Sequence, residues 1–152
     1  MSPETRPEPQ LHVALTSELL SVRQAAERLR SVLAAGGCGA EALAEIERCG
    51  VEAMNNVIEH GYGLREGLPV ELSLWWRVDG LVIELRDEGT PIPEEALASA
   101  SLPSVETDDP RELPDRGWGL GLLHELMDEV RYEARPEGNL LRLVRRRLTS
   151  SS

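Results

Sequence analysis

Hydrophobic positions along this chain recur with two different periods, and the switches between them lay out its elements. From Gln10 to Thr16, Leu11, Val13 and Leu15 alternate with polar neighbours, the period of a strand with one buried face. Thr16 or Ser17 then offers a capping hydroxyl for a helix running to about Ala35, with Leu19, Val22, Ala26, Leu29 and Leu33 as its apolar stripe. The glycine-rich run at 36–39 ends that helix. A second helix is predicted from about Ala40 to Glu59, with Leu43, Ile46, Ala53, Met54 and Val57 on its apolar side, and Gly61-Tyr62-Gly63 stops it.

Period two then returns. Val70, Leu72, Leu74, Trp76 and Val78 alternate, Asp79-Gly80 reads as a two-residue turn, and Leu81, Ile83 and Leu85 bring the chain back. Such a pair is antiparallel, with one face under the helices. Between Ile92 and Arg116 the pattern decays, apart from a short helical piece around Pro93 to Ala100, and a long irregular segment in a compact domain reads as a functional lid. Helical spacing resumes from Gly117 to Glu129 with Leu120, Leu123, His124 and Met127. Val130 to Ala134 and Leu140 to Val144, joined by Pro136-Glu137-Gly138-Asn139, form a last hairpin.

This order predicts an α+β chain, a two-layer α/β sandwich with helices on one face of a mixed, mainly antiparallel sheet. A chain of 152 residues suits a single domain, set here at residues 10–148, with a proline-rich loose leader at 1–9 and a fraying tail at 149–152. There is no Phe, so the core must be aliphatic. The formal charge of −11 argues against direct nucleic-acid binding and against anionic membranes. The charge is uneven: Arg142, Arg145, Arg146 and Arg147 crowd the C-terminal end, either a docking patch or a solvated strand face. Two cysteines, Cys38 and Cys49, with no Cys/His cluster, no secretory signal and no membrane-length apolar run, point to a reducing cytoplasm, where free thiols are favoured over the alternative of a single Cys38–Cys49 disulfide.

Candidate chemistry gathers in three stretches. Glu52, Asn56 and His60 stand at four-residue steps, so on a helix they share one face. Taken alone, a solvated face explains Glu52, Asn56 and Glu59 equally well. Asp87-Glu88-Gly89 closes a strand, where a carboxylate accepts from an exocyclic amine and a glycine lets the backbone come close; the same triplet is an everyday turn. Gly117, Gly119 and Gly121 alternate where a helix begins, which frees backbone N–H groups for phosphate.

In combination and in this order, E-x-x-x-N-x-x-x-H on a helix, a strand ending D-x-G, a lid and a G-x-G-x-G helix start resemble the GHKL ATPase superfamily, which includes histidine kinase catalytic domains and gyrase. Within it, EAMNNVIEHGY, DEGTPIP and GLGLLHELMDEV resemble the bacterial anti-sigma factor serine kinases, over about residues 10–147. The resemblance implies the Bergerat (GHKL) fold and an ATP- and Mg²⁺-dependent protein-serine kinase. Such a protein phosphorylates a STAS-type anti-anti-sigma partner, sequesters a sigma factor, and typically forms a homodimer. It implies Glu52 as general base, Asn56 as magnesium ligand, and His60 on the phosphate side, although a helix-terminal His favoured by the dipole fits as well. It further implies Asp87 as adenine selector, Gly89 as the close-approach glycine, Gly117, Gly119 and Gly121 facing phosphate, and Arg116 near the γ-phosphate. Pro91 departs from the pattern, standing where a second glycine is usual, and the segment before Arg116 is acidic, with Glu106, Asp108, Asp109, Glu112 and Asp115. These departures keep open an alternative, a non-catalytic, nucleotide-gated binding module of the same fold.

Overall fold

A computed structural model of the protein describes residues 7–101 and 120–149, the backbone alone for 99–101. Its elements follow the order expected: β1 (Leu11–Thr16), α1 (Leu19–Ala35), α2 (Ala40–Asn56), a π-helical turn (Val57–Gly61), β2 (Pro69–Arg77), β3 (Gly80–Asp87), α3 (Glu94–Ser101), α4 (Leu120–Leu126), β4 (Glu129–Arg135) and β5 (Gly138–Arg145). The five strands lie in the order β1-β2-β3-β5-β4, and all four pairings are antiparallel. No parallel pair occurs among the described residues, so the sheet is antiparallel where a mixed one had been allowed for.

Strand alternation places one residue from each strand in rows across the sheet. One row on the helix-covered face runs Leu11, Leu74, Ile83, Leu143, Val130, and the next runs Val13, Leu72, Leu85, Leu141, Tyr132. The third begins with Leu15 and Val70 and then turns polar, at Asp87 and Asn139. Against the apolar rows pack Val22, Ala25, Leu29 and Leu33 of α1, Ile46, Cys49, Ala53 and Met54 of α2, and Leu120 and Leu123 of α4. The site is built where apolar rows give way to the polar one.

Several local expectations need correction. Neither Thr16 nor Ser17 caps α1: Glu18 holds the N-cap position without a side-chain bond. The Ser17 hydroxyl is instead buried between β1 and the loop before β2, donating to the Arg65 carbonyl (2.6 Å) and accepting from Leu68 N–H (3.0 Å). The α-helical part of the second helix stops at Asn56, not Glu59, and the chain continues as the π-turn, closed by Tyr62 N–H on the Val57 carbonyl at 2.7 Å. In the first hairpin Arg77 pairs with Gly80, so Val78-Asp79 is the turn and Val78 is fully exposed. His124 faces solvent rather than the core. Much of the C-terminal basic cluster is engaged within the chain: Arg145 pairs with Glu45 at 2.8 Å and donates to the Leu126 carbonyl at 2.8 Å, and Arg146 pairs with Glu129. Cys38 and Cys49 are free thiols.

Candidate functional site

Asp87 ends β3 directly across from Asn139 at the start of β5. Its Oδ1 accepts from Gly89 N–H at 2.8 Å and from Asn139 Nδ2 at 3.0 Å, and the same Nδ2 donates to the Gly89 carbonyl at 2.9 Å. The loop after Asp87 is thereby folded back on itself. It is also fastened to the π-turn, because Thr90 N–H donates to the Gly61 carbonyl at 2.7 Å. Gly89 lies so close to Gly61 that an added Cβ would sit 2.5 Å from the Gly61 oxygen, a physical requirement for glycine at this position.

Two tyrosines hold the same loop from either side. The Tyr62 hydroxyl donates to the Pro69 carbonyl (2.6 Å) and accepts from Glu88 N–H (2.8 Å), and the Tyr132 hydroxyl accepts from Ile92 N–H (2.9 Å). Burial is the chief reason both phenols are pushed above the ordinary tyrosine range.

Between the loop, the helices and the sheet runs a narrow cavity of about 20 Å³. Its helix wall is Ala53, Asn56, Val57 and Gly61, its sheet wall Leu85, Leu141 and Tyr132, and Ile92, Leu120 and Leu123 close the third side. Asp87 and Thr90 complete the lining. The Oδ2 of Asp87 makes no hydrogen bond to any described residue, so an acceptor-only oxygen stands at a slot whose lining is mainly apolar. That acceptor is complementary to an exocyclic amine on the edge of a flat ring. A larger hollow, about 650 Å³, lies elsewhere, on the outer sheet face among Glu84, Arg86, Arg131 and Arg142. None of the motif residues lines it.

A family model described as a histidine kinase-like ATPase domain matches residues 15–145. The chain belongs to this family. It is 34% identical over 111 residues to an anti-sigma F factor from Priestia megaterium, an alignment that covers 72% of each chain. The fold resembles a solved structure of the RsbU and RsbW domains of Rv1364c from Mycobacterium tuberculosis, at a TM-score of 0.60 and 22% identity. That match covers 92% of this chain and 32% of the other, so the likeness is to about a third of a longer protein.

In this histidine kinase-like ATPase domain the motif residues are only partly assembled. Asn56, almost fully buried at the last α-helical position, and Asp87 line one cavity, and Gly89 packs on its rim against Gly61. Glu52, one helical turn before Asn56, is half-buried and lies outside the cavity lining. His60 sits on the π-turn, whose wider winding breaks the four-residue stacking expected above Asn56, with its Nε2 3.9 Å from Glu59. Gly121 is exposed on α4. Arg116, Gly117, Gly119 and the acidic positions between Glu106 and Asp115 lie outside the described residues. No helix among the described residues is long and apolar enough to cross a membrane.

Sequence reasoning missed Asn139, Tyr62, Tyr132 and Thr90. Asn139 reads as part of a turn, yet it stands two and four residues before Leu141 and Leu143, which puts it on the inner face of the same strand. Tyr62 stands between two glycines in a stretch that reads only as a helix stop.

Proposed function

We propose that this ATPase-family chain is an ATP- and Mg²⁺-dependent protein-serine kinase and anti-sigma factor, which phosphorylates a STAS-type anti-anti-sigma protein and sequesters a sigma factor. The observation that supports it best is that the Asn56 amide and Asp87, whose Oδ2 takes no hydrogen bond from any described residue, line one slot. The name of its P. megaterium relative, an anti-sigma F factor, supports the regulatory half.

In this reading Asp87 accepts from the adenine amine, and Gly89 keeps the loop backbone close to the base. Asn56 supplies one oxygen to magnesium, a cation that takes few protein ligands and completes its shell with phosphate and water. When bound, magnesium nucleotide supplies the phosphoryl group and neutralises the charge that develops on it. Glu52 holds the proton leaving the partner's seryl hydroxyl; its position on α2 outside the slot leaves it accessible to a protein substrate. His60, Arg116, Gly117, Gly119 and Gly121 face the phosphates. The chain works as a homodimer in the cytoplasm, with residues 10–148 as the ATP-binding kinase domain.

The test is to mix the chain with its STAS partner, a sigma factor and γ-labelled ATP. Label on a partner serine is expected, together with sigma capture. Nucleotide binding without any label would sink the kinase half. A second reading, a nucleotide-gated binding module without transfer, draws on the absence of Glu52 from the slot lining. Glu52→Ala separates the two: in a kinase the substitution abolishes transfer and leaves nucleotide and sigma binding intact.

A further inference from the structure

The geometry points to Asn139 and Tyr62 as positioning residues that preset the Asp87 carboxylate, and through it the preference of the site for a base with an exocyclic amine. This rests on the nucleotide reading above. Both Nδ2 hydrogens of Asn139 are committed, one to Asp87 Oδ1 and one to the Gly89 carbonyl. With Gly89 N–H added, Oδ1 takes two hydrogen bonds, and Oδ2 takes none from any described residue. The two oxygens are therefore no longer equivalent. Turning the carboxylate away from this position would break both bonds in a part-buried setting, where each unsatisfied group is costly.

Tyr62 acts one peptide further along. Its ring is 2% exposed, and its hydroxyl bridges Glu88 N–H to the Pro69 carbonyl, so the peptide that follows Asp87 is pinned to the start of β2. Asn139 fixes the carboxylate from the side and Tyr62 fixes the backbone beneath it. Neither lines the slot; each acts through Asp87. An ionised carboxylate only accepts, so a preset Oδ2 favours an amine at that edge and opposes a carbonyl there. A carboxylate free to turn, or displaced by a slack loop, loses that discrimination.

A purely structural tie and a positioning role differ in what they do to selectivity. Loss of a structural tie weakens every nucleotide alike. Loss of positioning weakens the amine-bearing base and leaves its carbonyl counterpart where it was. The probes are ribose-labelled fluorescent ATP and ITP, which differ at the base in an amine against a carbonyl, titrated with Mg²⁺ into the full chain, Asn139→Ala and Tyr62→Phe. Wild type is expected to prefer the ATP probe by about tenfold or more, the equivalent of one hydrogen bond to a charged group. In each variant the ratio should shrink by roughly threefold or more, chiefly through weaker ATP binding.

Folded variants that keep the wild-type ratio, whatever their absolute affinity, would overturn the assignment. So would a wild type that binds both probes equally, although the nucleotide site would then stand. A wild type that binds neither overturns the nucleotide reading itself, and the assignment with it. Should Asn139→Ala fail to fold, Tyr62→Phe decides the matter, since it removes a single oxygen and keeps the ring.

Discussion

Two glycines face each other across the rim of the site, and they should respond in opposite ways to the same added methyl group. At Gly89 a Cβ would lie 2.5 Å from the Gly61 oxygen and 2.6 Å from its carbon, both backbone atoms with no rotamer to yield. Restoring ordinary contact needs a separation of roughly 0.9 Å, judged against the usual spacing of packed heavy atoms. The Thr90 N–H to Gly61 carbonyl bond, 2.7 Å long and joining the same two segments, would then be stretched out of range. Overpacking of about 1–3 kcal/mol plus a lost hydrogen bond of about 1 kcal/mol gives a cost of about 2–4 kcal/mol for Gly89→Ala. At this chain length that corresponds to a fall in Tm of about 4–16 °C. Gly61 is different: its added Cβ would find Asp87 Oδ1 and the Thr90 oxygen at 3.7 Å, an ordinary contact. Gly61→Ala should therefore stay within about 1 kcal/mol of wild type. Calorimetric melting of the two variants, with fluorescent ATP titration alongside, checks both. Equal costs at the two positions, or a Gly89→Ala protein that melts and binds like wild type, would refute the reasoning.

Two further effects follow from buried groups away from the slot. The Cys49 thiol is pushed up from 9.0 to about 11, chiefly by burial, so the fold holds its proton more tightly than the unfolded chain does. Its contribution is complete below pH 9 and is lost as pH rises to about 11, a loss of roughly 3 kcal/mol. Urea midpoints between pH 8 and 10.5 should fall, more steeply in wild type than in Cys49→Ala; identical slopes would contradict this. Arg145→Met removes both the Glu45 pair and the donor to the Leu126 carbonyl at the end of α4. It should cost about 2–4 kcal/mol by chemical denaturation, because the orphaned partners are partly buried; a change under about 0.5 kcal/mol would show that the tether carries no stability.

Much of the architecture was legible because a strand's period of two leaves little freedom: Leu11, Val13 and Leu15, or Leu81, Ile83 and Leu85, can face only one way together. What stayed hidden was decided by contacts distant in sequence. Asp79-Gly80 reads as a hairpin turn, yet Gly80 is needed in the strand itself, with a φ of 151° and the Arg145 oxygen where its Cβ would be. Ser17 reads as a cap, but the loop carrying Arg65 and Leu68 claims its hydroxyl. Nothing in Val57-Ile58-Glu59 marks a π-turn, since apolar residues at 53, 54, 57 and 58 fit an α-helix as well. The extra residue is stabilised by ties to Thr90 and Glu88, some thirty positions away. The motifs located Asn56 and Asp87, while Asn139, which holds the Asp87 carboxylate from β5, belongs to none of them.

The same π-turn explains how the two ends of the site are coupled. Asn56 is the last residue with α-helical bonding, Gly61 closes the π-turn, and the loop bearing Asp87, Gly89 and Thr90 is fastened to that closing residue. The helix wall and the sheet wall of the slot are thus joined at the rim. A cavity of about 20 Å³ is narrower than a purine, so a base enters only if a wall gives way. The sheet wall is set by rows of paired strands, and the helix wall is anchored in the core through Ala53 and Met54. The third wall is Ile92 with Leu120 and Leu123 of α4, a helix of seven residues whose far end is tethered by Arg145 to α2. Leu120 and Leu123 are themselves fully buried, and α4 packs on α2, α3 and β4. Whichever wall yields, the tie of the Asp87 loop to Gly61 keeps the helix wall and the sheet wall joined at the rim.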